Sequence, residues 1–124
     1  MDDKLKILIV EDEVIIAMRF EVFFMRRGYQ VVNIVSSGEA AVKSAQKDQP
    51  DLILMDINLK GMMSGIEAAT IISAEQKIPI MFMTGYSDEN LRMEADKVNP
   101  IAYFMKPIDM NEVLEAIKIL IDNK

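Results

Sequence analysis

LILMDINL, residues 52–59, sets four apolar side chains in a row and ends the run on an acid, Asp56. An unbroken apolar run predicts a strand covered on both faces, because a half-exposed strand would alternate apolar with polar residues. Pro50 punctuates just before it, so a strand is predicted over residues 51–55, leading into Asp56. Upstream, residues 37–47 carry helical spacing, with Ser36 or Ser37 as candidate N-cap and Glu39 in the first turn. Downstream, residues 64–76 are helical in pattern, although Gly65 weakens the first turn. The alternation continues outward. Strands are predicted over 5–10, 30–35, 80–83 and 101–105, the last two opened by Pro79 and Pro100. A helix is predicted over 13–27, with Val14, Met18, Val22 and Met25 on one apolar face and Gly28 past its end. Another covers 89–98, carrying Leu91, Ala95 and Val98. The last follows Asp109 as cap, with Met110, Val113, Leu114, Ile117 and Leu120 on one face.

Five apolar strands in strict alternation with five helices specify a doubly wound α/β fold, a parallel sheet with helices on both faces. The 124 residues suit one domain, spanning 1–124, without internal repeat or linker. Composition closes off several chemistries. There is no cysteine and no histidine, which excludes disulfides, thiolate or imidazole metal sites, a cysteine nucleophile and any Ser–His pair. A net charge of −6 repels phosphate backbones, so this domain alone is not expected to bind nucleic acid. The longest apolar runs, residues 14–18 and 78–83, fall far short of the about 20 residues of a membrane span. The opening MDDKLKI lacks the cationic and then apolar pattern of a secretory signal, and a cytoplasmic location is expected. Most of the 11 methionines are assigned to strand or helix core faces; Met62 and Met63 are exceptions that could form a docking patch.

In open α/β sheets, ligands sit beyond the carboxyl ends of the strands. The first strand is followed by Glu11-Asp12-Glu13, the third by Asp56, the fourth by Thr84 and the fifth by Lys106. The second leads into Ser36-Ser37-Gly38, a plain cap and turn. Each group has an ordinary reading: acids suit a helix N-terminus, a threonine caps, a lysine is solvated. Asp56 resists that reading, since an acid directly after a buried strand is desolvated unless a charge meets it. Together the groups make chemical sense. Packed carboxylates favour a divalent cation that likes oxygen, Mg²⁺ being the expected one in cytosol. The cation and a lysine neutralise phosphoryl oxygens, and a carboxylate can accept the phosphoryl group as an aspartyl phosphate.

The motifs ILIVEDE (7–13), LILMDINL (52–59), MTGY (83–86) and YFMKP (103–107) resemble the receiver domain of two-component response regulators. Any one is weak; four in order, each at the end of its strand, are specific. The resemblance implies the flavodoxin-like strand order 2-1-3-4-5. It implies Asp56 as phosphoacceptor, with Glu11, Asp12, Asp56 and the backbone carbonyl of Asn58 holding Mg²⁺. It also implies Thr84 bonding the phosphoryl group, Lys106 pairing with it, Tyr103 as an aromatic switch and a cis Lys106–Pro107 bond. The phosphoryl group would come from a histidine on a sensor kinase or phosphotransfer protein and leave by the domain's own slow hydrolysis. It would act on no other substrate, and would switch a surface of the fourth helix, fifth strand and fifth helix toward an unknown downstream protein. Three departures stand out. The loop INLKGMMSGIEAA (57–69) has no proline four residues after Asp56 and is one residue longer before Gly65 than the common pattern; Glu11 stands where aspartate is also frequent; Tyr86 is bulky beside the site.

Two rival readings remain. A haloacid-dehalogenase-type phosphatase uses D-x-D, but the second position here is Asn58. A docking domain that is never phosphorylated would not need the acids, hydroxyl and lysine together. Flavodoxins want a hydroxyl-rich phosphate loop after the first strand, where this chain has three acids, and no P-loop pattern occurs.

Overall fold

The computed structural model describes residues 4–123. Met1–Asp3, part of the segment read for a secretory signal, and Lys124 lie outside the described residues. Burial on both faces of the central strands organises everything else. The strands β1 (Lys6–Val10), β2 (Gln30–Val35), β3 (Leu52–Asp56), β4 (Ile80–Thr84) and β5 (Ala102–Met105) form one parallel sheet in the order β2-β1-β3-β4-β5, as expected. Between and after them run α1 (Val14–Arg26), α2 (Gly38–Asp48), α3 (Gly65–Glu75), α4 (Glu89–Asp96) and α5 (Met110–Asp122).

Alternate residues of the same strands feed two cores. Leu8, Val10, Ile53, Met55 and Phe82 pack with Ala41 and Ala45 of α2, Ala68, Ala69 and Ile72 of α3 and Ala95 of α4. Ile7, Ile9, Leu52, Leu54, Met81 and Met83 pack with Ala17, Phe20 and Phe24 of α1 and Val113 and Ile117 of α5. Both layers are therefore set by the strand period of two.

The apolar face read for α1 is not the one that packs. Val14, Met18, Val22 and Met25 are exposed, and Ala17, Phe20 and Phe24 face the sheet. This helix is apolar nearly all round, so its periodicity does not choose a face. The choice follows the rings, which bury the most area: Phe20 and Phe24 stack at 6.4 Å, and Tyr29 meets Phe24 edge-on. The methionines are similarly divided. Met55, Met81 and Met83 are fully buried, whereas Met18, Met25, Met93 and Met105 are exposed. Met62 and Met63 do not form one patch: Met62 is exposed, while Met63 packs on the core against Gly38.

Gly65 also reads differently in three dimensions. Ser64 and Glu67 cap α3 reciprocally, compensating the weak first position. A Cβ at Gly65 would collide with the Asp56 carbonyl, so only glycine lets α3 start against the end of β3. Ser37, rather than Ser36, caps α2, and Asp109 caps α5 as expected. The other boundaries agree to within about two residues.

Candidate functional site

Strands β1, β3, β4 and β5 end at one edge, and their terminal polar groups meet there. Glu11 and Asp56 are both 2% exposed and Thr84 is wholly buried. Lys106 Nζ reaches in from the end of β5 and lies 3.0 Å from Glu11 Oε1 and 3.0 Å from Asp56 Oδ2. Its bond to Asp56 is an aligned hydrogen bond; its contact with Glu11 is an ion pair without that alignment, and Glu11 Oε1 has no hydrogen-bond partner among the described residues. The Lys106 backbone N–H donates to the Thr84 carbonyl, and the Lys106–Pro107 bond is cis, as the resemblance implies.

The remaining oxygens are individually held. Asp56 Oδ1 accepts the Asn58 N–H at 3.0 Å, and Glu11 Oε2 accepts the Glu13 N–H at 3.1 Å. Asp12 Oδ2 accepts the Lys60 N–H at 3.0 Å, which docks the long β3–α3 loop onto the first acid pair. Thr84 donates its hydroxyl to Asn58 Oδ1 at 2.8 Å and accepts the Tyr86 N–H at 3.1 Å.

Burial, the main cause, and the Asp56 charge push the Glu11 carboxyl up to about 7, against the lowering influence of Lys106. Burial would lower the Lys106 ammonium, but its pairing with the Asp56 and Glu11 carboxylates outweighs that and leaves it raised. Glu11, Asp12 and Asp56 each offer one oxygen, all within 4.8 Å of one another. Three carboxylates, one with a buried oxygen that no hydrogen bond satisfies, suit a divalent ion with oxygen ligands. This cluster could hold a metal ion.

Tyr103 stands apart. It pairs in register with Phe82, two rungs before Thr84 pairs with Met105, and packs on the core shared by α2, α3 and α4. Its hydroxyl is buried without a hydrogen-bond partner among the described residues, and the Arg92 guanidinium lies over its ring at 4.3 Å from the centroid. Burial, the main cause, raises the phenol, opposed by Arg92 and assisted by Asp88 and Asp96. Arg92 is itself tied to Asp96 at 3.3 Å. Tyr86 is largely exposed, contributing its backbone to Thr84.

Of the residues singled out from sequence, Glu11, Asp12, Asp56, Asn58, Thr84 and Lys106 are thus brought together and Tyr103 is not. Three contributors had gone unread: the Asn58 side chain, the Lys60 amide and Arg92. Asn58 was visible as a polar residue two after Asp56. A backbone donor 48 residues from Asp12 and a cation covering a ring on another element leave no local signal.

The profile of the response regulator receiver domain matches residues 7–118. The chain belongs to the response regulator receiver family. As a receiver it is 31% identical over 116 residues to the transcriptional regulatory protein PdtaR of Mycobacterium tuberculosis, covering 94% of this chain but only 56% of that protein. It is 32% identical over 114 residues to sporulation initiation phosphotransferase F of Bacillus subtilis, covering 91% of this chain and 90% of that protein. The signal receiver domain of a modulated diguanylate cyclase from Desulfovibrio desulfuricans G20 superposes with a TM-score of 0.90 at 33% identity, over 98% of this receiver and 96% of that chain. A CheY-like receiver from Methanospirillum hungatei JF-1 does so with 0.89 at 26% identity, over 98% and 96%. No described helix of the receiver is long and apolar enough to cross a membrane.

Proposed function

We propose that the chain is a single receiver domain, residues 1–124, that accepts a phosphoryl group on Asp56 in a two-component phosphorelay in the cytoplasm. The observation that carries this is Lys106 Nζ, 3.0 Å from both Asp56 and Glu11 at the carboxyl edge of the sheet. A cation between two buried acids is what a phosphoacceptor site needs once three phosphoryl oxygens arrive.

An Asp56 oxygen attacks phosphorus, the P–N bond to a partner's phosphohistidine breaks, and the imidazole departs with the bonding electrons. Lys106 pairs with a phosphoryl oxygen and the Thr84 hydroxyl bonds another. Glu11, Asp12, Asp56 and the Asn58 backbone carbonyl would hold Mg²⁺, which would supply positive charge against the phosphoryl oxygens. Water later hydrolyses the acyl phosphate, so the domain catalyses only its own phosphorylation and dephosphorylation. The donor is a sensor histidine kinase or a histidine phosphotransfer protein. Movement of Thr84 toward phosphate frees room for Tyr103 to turn inward, changing the surface of α4, β5 and α5 that a downstream protein reads.

Incubation with a small phosphodonor and Mg²⁺ tests this. One phosphoryl group should add to the wild type, none to Asp56→Asn, with amide shifts reaching residues 89–120. Full labelling of Asp56→Asn, or steady turnover of p-nitrophenyl phosphate in place of retained label, overturns the reading.

A further inference from the structure

Thr84 is wholly buried, so its hydroxyl must find both its donor and its acceptor inside the protein. The donor is the Tyr86 N–H. For its single proton two acceptors are in reach: Asn58 Oδ1 at 2.8 Å, and the Tyr86 carbonyl at 3.5 Å, which is too long to compete. Asn58 also donates its backbone N–H to Asp56 Oδ1. One loop residue therefore links the acid to the hydroxyl that must later turn toward it.

A hydroxyl has one proton to give, and while Asn58 holds it no phosphoryl oxygen can. We propose that Asn58 is a positioning residue: its amide oxygen holds the Thr84 hydroxyl in the resting orientation and competes with the phosphoryl group for that proton. This rests on the reading of Asp56 as phosphoacceptor. Asn58 is exposed, so water can take up its amide when Thr84 leaves, and the exchange is reversible at modest cost. The side chain is also separable from the backbone groups of the same residue, which stay in place when it is truncated.

Calorimetric titration of the purified chain with beryllofluoride, a noncovalent phosphoryl mimic, in saturating Mg²⁺ reads this competition directly. Wild type should bind, and Asn58→Ala should bind about two- to twelvefold tighter, the net worth of one neutral hydrogen bond expressed as a ratio. Asn58→Leu, which fills the space without an acceptor, should do the same. In a Thr84→Val background, where there is no proton to contest, the Asn58 substitutions should change nothing. An equal change in both backgrounds, or weaker binding by Asn58→Ala, overturns the proposal. Failure of wild type to bind at all would instead remove the Asp56 reading and this inference with it; wild-type binding without tightening in Asn58→Ala removes the inference alone.

Discussion

The carboxyl edge of the sheet has two halves built on different physics. On one side Lys106 is held between Glu11 and Asp56 at equal distances, with both acids buried. On the other, the Thr84 hydroxyl is held by neutral bonds alone, to the exposed loop residue Asn58 and from the Tyr86 N–H, and Tyr103 keeps a buried hydroxyl with no partner among the described residues beneath a single guanidinium. Charge-assisted bonds in a dry site are about twice as strong as neutral ones, and removing one partner strands the other. Neutral bonds near water exchange at little net cost. The charged half is therefore suited to stay put, and the neutral half to move.

Removing the cation should break the charged half most severely. Lys106→Met leaves two buried carboxylates facing each other, and at pH 8 should destabilise the fold by about 3 kcal/mol, read by urea unfolding. A loss below about 0.5 kcal/mol would mean the acids are hydrated and the two halves are alike.

The next effect is one of pH. Folding raises the Glu11 carboxyl from 4.5 to about 7, so between those values the folded chain binds a proton that the unfolded chain has lost. Its contribution to stability is fully present below about 4.5 and is lost as pH rises through about 7. Metal-free stability should fall across that window by on the order of 2 kcal/mol. No histidine titrates there to obscure it. Glu11→Gln should flatten the slope; an unchanged slope in that variant would locate the titration elsewhere.

The smallest effect belongs to the neutral half and has the opposite sign. Tyr103→Phe removes a buried hydroxyl that has no hydrogen-bond partner among the described residues while keeping the ring under Arg92, and should leave stability unchanged or raise it by up to about 1 kcal/mol. A clear loss in thermal melts would show that the hydroxyl has a partner in solution and that this half is also pinned.

Much of this was legible in the chain itself. Unbroken apolar runs such as residues 52–55, interleaved with helical patterns, determined a parallel sheet covered on both sides, and the acid, hydroxyl and lysine at strand ends marked one edge of it. Those signals are local, and burial on both faces leaves a strand little choice of composition. Three things depended on how the elements pack. Which face of α1 packs was settled by the bulk of Phe20 and Phe24 against the sheet, because a helix apolar all round carries no directional pattern. Gly65 was settled by the approach of α3 to the Asp56 carbonyl, a contact between elements that its own neighbourhood in sequence does not encode. The partners of Thr84, Asp12 and Tyr103 were settled last: a hydrogen bond or a cation over a ring needs positions correct within about an ångström, and residues 26 or 48 apart acquire such positions only when the sheet and its loops close.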